Sequence, residues 1–527
     1  MIGIDYFAVK RECDMRAYSA AECIFAWICF LSAFIFCRLF PVHESPLASF
    51  LFIVGIFAVT TVIILLRGVK LSVLSVIAAV SAILISAAVI LSDNGFLIFF
   101  SYVYAINAFF YFVYAALGNS VKNGFQDLIV ADYIKAVFVM PFHSITAFFK
   151  ALFSGKIHNG GKLMLKLALG ILIAFVPTVI VTVLLMYDSS FEDILYGMIP
   201  SFDFDLLSYL GSLIWSIPIG MYIYGLFISS ADKKCADILS EEKCSAVLTK
   251  IKIAPTVTAV TAVIPLIFIY TVFFISQWKY YVSGFTGVLP PDFSYAQYAR
   301  DGFFELCIVS FINLTVVGFL IAFMKRNGRA SKVIFKCIAV IFSLITLVLI
   351  TTALSKMFMY IECYGLTPLR VYATWFMAVL AAVFFILILK QFIPKMKYVA
   401  VSISVCIAMF AALSLCNVDS IIAEYNVDRY LDGTIDSVDM YAMNDLGISA
   451  VPALCRLAEE YDRENGTDIT TGELDGISST STYYRLSKKL HGTSEYLSSD
   501  EYGIFDFTFP KHKAKKALIK LGIMEEN

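Results

Sequence analysis

Apolar runs of about twenty residues, closed at both ends by charge, recur along this 527-residue chain. A helix rises about 1.5 Å per residue and the hydrocarbon core of a bilayer is about 30 Å thick, so each run is long enough to cross a membrane. Eleven spans are expected: Cys23–Cys37, Leu47–Leu66, Leu71–Leu91, Phe96–Leu117, Leu167–Tyr187, Leu206–Ile228, Ala254–Ser276, Phe304–Phe323, Val333–Ala353, Val371–Leu389 and Tyr398–Leu415. The pairs Glu305 and Lys325, Lys336 and Lys356, and Arg370 and Lys390 each stand 20 positions apart. With spans alternating in direction, Glu305, Lys356 and Arg370 reach one membrane face, and Glu362 lies slightly further out. The stretch Met357–Phe376 is the charged turn between two of these spans, broken by Gly365 and Pro368.

Composition agrees with the pattern. The chain is 60% hydrophobic and 15% charged, against about 45–50% and 25% for soluble domains. The formal net charge of −1 carries no hint of a nucleic-acid partner. Its distribution says more. From Cys416 onward there are 20 Asp and Glu against 11 Lys and Arg, while the remainder holds 29 basic residues against 21 acidic. An acidic tail therefore follows a mildly basic membrane body. Basic residues mark the cytoplasmic side of membrane proteins. Lys325, Arg326, Arg329, Lys332 and Lys336 form a cluster with no acid among them, and the loop Asp188–Asp205 has five acids and no base. A cytoplasmic N-terminus satisfies both, and an odd number of spans then places the tail outside.

These features divide the chain into a cytoplasmic segment (1–22), four spans (23–117), a cytoplasmic amphipathic segment (118–166), a seven-span region (167–415) and an extracytoplasmic helical tail (416–527). The expected fold is an all-α polytopic membrane bundle in a bacterial plasma membrane. In the amphipathic segment, Phe125, Leu128, Ile129, Tyr133, Ala136, Val137 and Met140 recur at helical spacing among Asp127, Asp132 and Lys135, which fits a helix on the inner membrane surface, ended or kinked by Pro141. In the tail, helices are expected over Val418–Leu431, Ser449–Tyr461 and Lys511–Leu521, with Asp436 capping a short one between. Gly466–Asp500, rich in Ser, Thr and Gly, is expected to be a mobile excursion.

Chemical signatures are scarce. Gly155–Lys162, GKIHNGGK, fails as a phosphate loop because Lys156 stands where the first glycine is needed and Leu163 replaces Ser or Thr. The five histidines are far apart in sequence, and the 12 cysteines have no metal-like spacing, so no metal and no cofactor are implied. Cys363, Cys416 and Cys455 face the side on which a pairing would form. Asn107 and Asn313 are the polar groups deepest in spans, expected to bond across helices. What remains is the outer layer of Arg300, Glu305, Lys356, Glu362 and Arg370. Such a layer either snorkels and pairs with itself or holds an anionic lipid headgroup or envelope component.

Three stretches carry a resemblance. Tyr360–Arg370, YIECYGLTPLR, resembles the Tyr-Gly-Leu-Thr-x-x-Arg signature of an uncharacterised bacterial multi-pass family, domain of unknown function 4173, related to 4153. Tyr295–Leu306, YAQYARDGFFEL, is similar to its Tyr-Ala-x-Tyr-Ala-Arg-x-Gly-Phe element. Asn417–Leu431 followed by Ala450–Leu454 is similar to the element after its last span. Asp445-Leu446-Gly447 departs from the tighter acidic turn of the family. The resemblance implies the multi-pass fold and singles out Tyr295, Tyr298, Tyr364, Gly365, Leu366 and Thr367; it supplies no catalytic residue. Three function classes follow. The first is an envelope-associated binding or sensing protein. The second is an interfacial enzyme on lipid-linked substrates, with Glu305 or Glu362 as acid or base beside Arg300 and Arg370. The third is a transporter, which would need a polar path beyond Asn107 and Asn313.

Overall fold

The computed structural model describes residues 18–40, 45–120, 127–152, 204–233, 241–276, 303–472, 481–499 and 503–525. Among these the chain is all-helical. In order, the helices are α1 (Ala20–Leu39), α2 (Pro46–Leu66), α3 (Val73–Ser86), α4 (Ala88–Leu91), α5 (Gly95–Ala116), α6 (Ile129–Ile134), α7 (Met140–His143), α8 (Ala147–Leu152), α9 (Phe204–Ala231) and α10 (Glu241–Ile251). There follow α11 (Thr256–Ser276), α12 (Phe303–Phe323), α13 (Arg329–Tyr364), α14 (Pro368–Phe392), α15 (Tyr398–Leu415), α16 (Val418–Leu431), α17 (Met440–Asp445), α18 (Val451–Asn465), α19 (Thr482–Ser498) and α20 (Phe509–Leu521). Ten helical segments among the described residues are long and apolar enough to cross a membrane, α3 and α4 counting as one. They coincide with ten of the eleven expected spans; the eleventh, Leu167–Tyr187, lies outside the described residues. The ten cysteines described are all free thiols, including Cys363, Cys416 and Cys455.

The chain divides into two compact units. The first comprises Met1–Val76, Phe109–Ser120 and Asp132–Ile238. Ser19 and Glu22 form a capping box at the start of α1, and Arg67, which follows α2, approaches Glu22 at 3.6 Å. Phe25 of α1 packs on Phe227 of α9, with ring centroids 4.2 Å apart. The amphipathic segment buries polar and apolar residues together. Asp132 and Lys135 are buried, whereas Ile134, Phe138 and Phe142 are exposed. The Tyr114 hydroxyl donates to Asp132 at 3.0 Å, while Ala136 and Met140 of the expected apolar stripe are fully buried. A π turn over Lys135–Val139 precedes Pro141. Proline has no N–H to offer the carbonyl four residues back; here that carbonyl, on Val137, accepts from the Tyr222 hydroxyl at 2.6 Å.

The second unit comprises Ile77–Ala108, Val121–Ala131 and Leu239–Asn527. Asn313 bonds across helices as expected: the Tyr270 hydroxyl donates to it at 2.5 Å and it donates to Thr346 at 3.0 Å, joining α11, α12 and α13. Asn107 donates to Val103 on its own helix. Helix α13 has 36 residues, a length of about 54 Å, so Met357–Tyr364 continues it by two turns beyond Lys356. The expected broad turn shrinks to Gly365–Thr367.

The tail helices enclose a core of Leu454, Leu457, Leu486, Leu490 and Leu518, and Leu97 of the span α5 is buried in the same cluster. The expected mobile excursion is corrected here. Residues 473–480 lie outside the described residues, but Thr482–Ser498 is the helix α19, capped by Ser481. Its Tyr483, Leu486, Leu490 and Leu497 are buried at helical spacing, and burial of that stripe outweighs the weak helix propensity of Ser, Thr and Gly. The short helix α17 is capped by Asp439, which accepts from the N–H groups of Tyr441 and Ala442, rather than by Asp436.

Candidate functional site

Two turns between spans are fastened to the tail, each by a different chemistry. The first is Gly365–Thr367. Gly365 ends α13 at φ 73°, a conformation that costs an L-residue about 1–2 kcal/mol and glycine nothing. A Cβ at that position would stand 2.4 Å from Asn426 Oδ1. The approach is close because the Asn426 amide pairs with the backbone of the next residue in both directions: Oδ1 accepts from Leu366 N–H at 2.7 Å, and Nδ2 donates to Leu366 O at 2.9 Å. Asn426 belongs to α16, the first tail helix. Thr367 then caps α14, with Pro368 at its first position.

Two arginines complete this joint by donating to carbonyls at the end of α13, where backbone acceptors outnumber the helix's own donors. Arg370 reaches back across the turn to Tyr364 O at 3.0 Å and also donates to Gly365 O. Its guanidinium lies 4.0 Å over the Tyr360 ring. From the tail, Arg429 donates to Ile361 O at 3.3 Å. Both cations sit where the helix dipole favours positive charge.

The second joint is the Asp93–Asn94 turn between α4 and α5. Asn94 Oδ1 accepts from Leu97 N–H at 3.1 Å, and its Nδ2 donates to both carboxylate oxygens of Asp419 at 2.9 Å. Asp93 accepts from the hydroxyls of Ser449 and Thr508, each at 3.3 Å. Asn417 donates to the same Ser449 hydroxyl at 3.1 Å. Three tail segments, the starts of α16 and α20 and the turn before α18, thus converge on one turn between spans. Beside it the Phe96 ring stacks on Tyr372 of α14 at 4.9 Å.

Two acids so enclosed resist ionisation. Burial pushes the Asp419 carboxyl up from 3.8 to about 6, with the Asn94 bond opposing and the charge of Asp93 adding to the rise. Burial also raises Asp93, against the opposing pull of Lys511 and its two hydroxyl partners. A family model, Domain of unknown function (DUF4153), matches residues 79–457, more than half the chain and a stretch that contains the first joint and all of the second except Thr508. The chain belongs to the DUF4153 family. No curated protein and no solved structure matches it.

Of the outer residues expected from the DUF4153 chain's sequence, Arg300, Tyr295 and Tyr298 lie outside the described residues. Glu305 is exposed in the first turn of α12, and Glu362 is exposed six positions beyond Lys356 on α13, which separates them by about 9 Å along the axis. Among the described residues no ion pair joins Glu305, Lys356, Glu362 and Arg370. Tyr364 is exposed; Gly365, Leu366 and Thr367 form the first joint. Sequence reasoning passed over Asp93, Asn94, Asp419 and Asn426. The last two lie inside the Asn417–Leu431 stretch already singled out. Asp93 carried one usable signal, as an acid in a turn of three residues between two spans.

Proposed function

We propose that this protein is an envelope-associated binding or sensing protein of a bacterial plasma membrane, its N-terminus in the cytoplasm and its tail outside. The observation that carries the reading is the shared core: Leu97 of a span lies among the tail's own buried residues, and the two joints bond the tail to turns on either side of spans. A domain held this way is mechanically part of the bundle, so occupancy of the tail is felt at the span ends. The basic cluster at Lys325–Lys336 and the acidic tail support the orientation, and the likeness of Tyr360–Arg370 to the DUF4173 signature fits the same outer face. Against the transporter alternative, Asn313 spends its amide on Tyr270 and Thr346 rather than on a transport path.

Native mass spectrometry of the full chain, extracted with its surrounding lipid, tests the function. The reading expects one anionic non-protein molecule retained per chain; chains that retain none contradict it. For the orientation, Ile504→Cys, at an exposed tail position, is expected to gain labelling by a membrane-impermeant maleimide in intact cells over the unaltered protein. Arg329→Cys is expected not to, and the reverse pattern inverts the topology.

A further inference from the structure

The tail holds a pocket of about 830 Å³ between α17 and α19, lined among others by Tyr441, Tyr484, Arg485, Lys488, Lys489 and Tyr496. That volume lies in the range of small-molecule sites, about 300–1,000 Å³. Its charge is opposite to that of its surroundings. The tail has 20 acids and 11 bases, yet three of those bases stand at positions i, i+3 and i+4 of α19 and share one face of it. Among the described residues neither Lys488 nor Lys489 has a carboxylate within ion-pair distance. Lys489 is half-buried, donates to the Asn444 carbonyl at 3.3 Å, and is pushed down in pKa by that burial, with Asp445 opposing. The Asn444 side-chain oxygen is itself buried without a hydrogen-bond partner among the described residues. Lys488, beside Lys489, is exposed, so the two ammonium groups stand at the mouth of the pocket, where like charges on neighbouring positions favour an anion between them.

The remaining wall is aromatic. The Arg485 guanidinium lies 3.7 Å over the Tyr441 ring, leaving that ring 67% exposed. At the other end Lys511 stands 5.3 Å from the Tyr496 ring. Tyrosines give a flat apolar face and a hydroxyl in one side chain, which suits a ring that carries its own hydroxyls. Gly492 follows the cations on the same face of α19 and lines the pocket. A Cβ added there would meet no atom within 4 Å, so the glycine leaves the floor open although helix propensity alone would disfavour it.

We infer that this pocket binds a phosphate ester of a cyclic polyol, the phosphate held by Lys488 and Lys489 and the ring laid against the tyrosines. The inference rests on the binding reading above and names its ligand class. Two sources share that chemistry, a soluble sugar or polyol phosphate and the headgroup of a phospholipid.

The test uses the full chain in nanodiscs and two probes with one headgroup, myo-inositol 1-phosphate in solution and phosphatidylinositol in the disc. Saturable binding of the soluble probe in phosphatidylcholine discs assigns the pocket to free polyol phosphates. Binding confined to discs containing phosphatidylinositol assigns it to a headgroup. In either case Lys488→Ala with Lys489→Ala is expected to weaken binding at least tenfold, and added salt to weaken it in the unaltered protein. Gly492→Leu fills the floor from a position with open space beside it, so the protein is expected to keep its unfolding temperature and lose the probe. Binding of neither probe, or binding unchanged by Gly492→Leu, overturns the pocket assignment. If the anionic molecule seen by native mass spectrometry persists in Gly492→Leu, the binding reading stands and only the pocket falls.

Discussion

The two joints hold the same tail to the same bundle, and they differ in what they can respond to. At Gly365–Thr367 the contact is a neutral amide matched to a backbone amide, with arginines on helix-end carbonyls. No carboxyl takes part in it. At Asp93–Asn94 the contact is made by two partly desolvated carboxyls that repel one another, held by an asparagine and three hydroxyl or amide donors. The second joint therefore exchanges stability with protons.

The largest effect is expected from Gly365→Val. A β-branched residue is strained at positive φ, its Cβ meets Asn426, and both amide bonds are lost. A cost of about 4 kcal/mol follows from the strain and the unmade bonds together, measured as chemical unfolding of the full chain in detergent. A loss under about 1 kcal/mol would mean that the turn is not clamped. Asn426→Ala comes next, at about 2–3 kcal/mol, because it leaves the Leu366 N–H and C=O without partners. Its effect is expected to be the same at pH 5 and pH 7.

Asp419→Asn has the smallest expected magnitude and the most informative sign. The folded-state pKa of Asp419 lies above its ordinary value, so the folded chain holds a proton that the unfolded chain gives up. Stability from this group is fully present below about pH 4 and is lost as pH rises toward about 6. Asp93, raised by the same burial, adds to the trend, and Lys511 moderates it. Asp419→Asn is therefore expected to stabilise the protein at pH 7 by on the order of 2 kcal/mol and to flatten the pH dependence between 4 and 6. Destabilisation at pH 7 would show instead that the charge, near the N-terminus of α16, is favoured there.

The spans were legible in the sequence because depth in a bilayer is set by length, and charges closed most of the runs. The same cue falls short at α13, where the last eight residues of the helix stand beyond the charge of Lys356. The helix α19 was obscured by composition, since Ser, Thr and Gly dominate its neighbourhood, although Tyr483, Leu486, Leu490 and Leu497 already spelled a helical stripe. Asn426 could not be read at all. A polar residue on a surface helix has the same sequence appearance whether it faces water or a turn 60 residues away. Gly365 was visible as a turn glycine, but the second reason for it, the approach of Asn426, exists only in three dimensions. Asp93 and Asp419 are 326 positions apart, and only the meeting of α5 with the tail makes them one site.

The claim on which all of this rests is that the tail is clamped to the span ends rather than tethered beside them. Hydrogen exchange of the Leu366 backbone amide in the full chain tests it most directly, since that N–H has the Asn426 side chain as its partner. The account predicts protection comparable to the interior of Val451–Asn465, abolished by Asn426→Ala. Exchange at the rate of an open loop in the unaltered protein would contradict it.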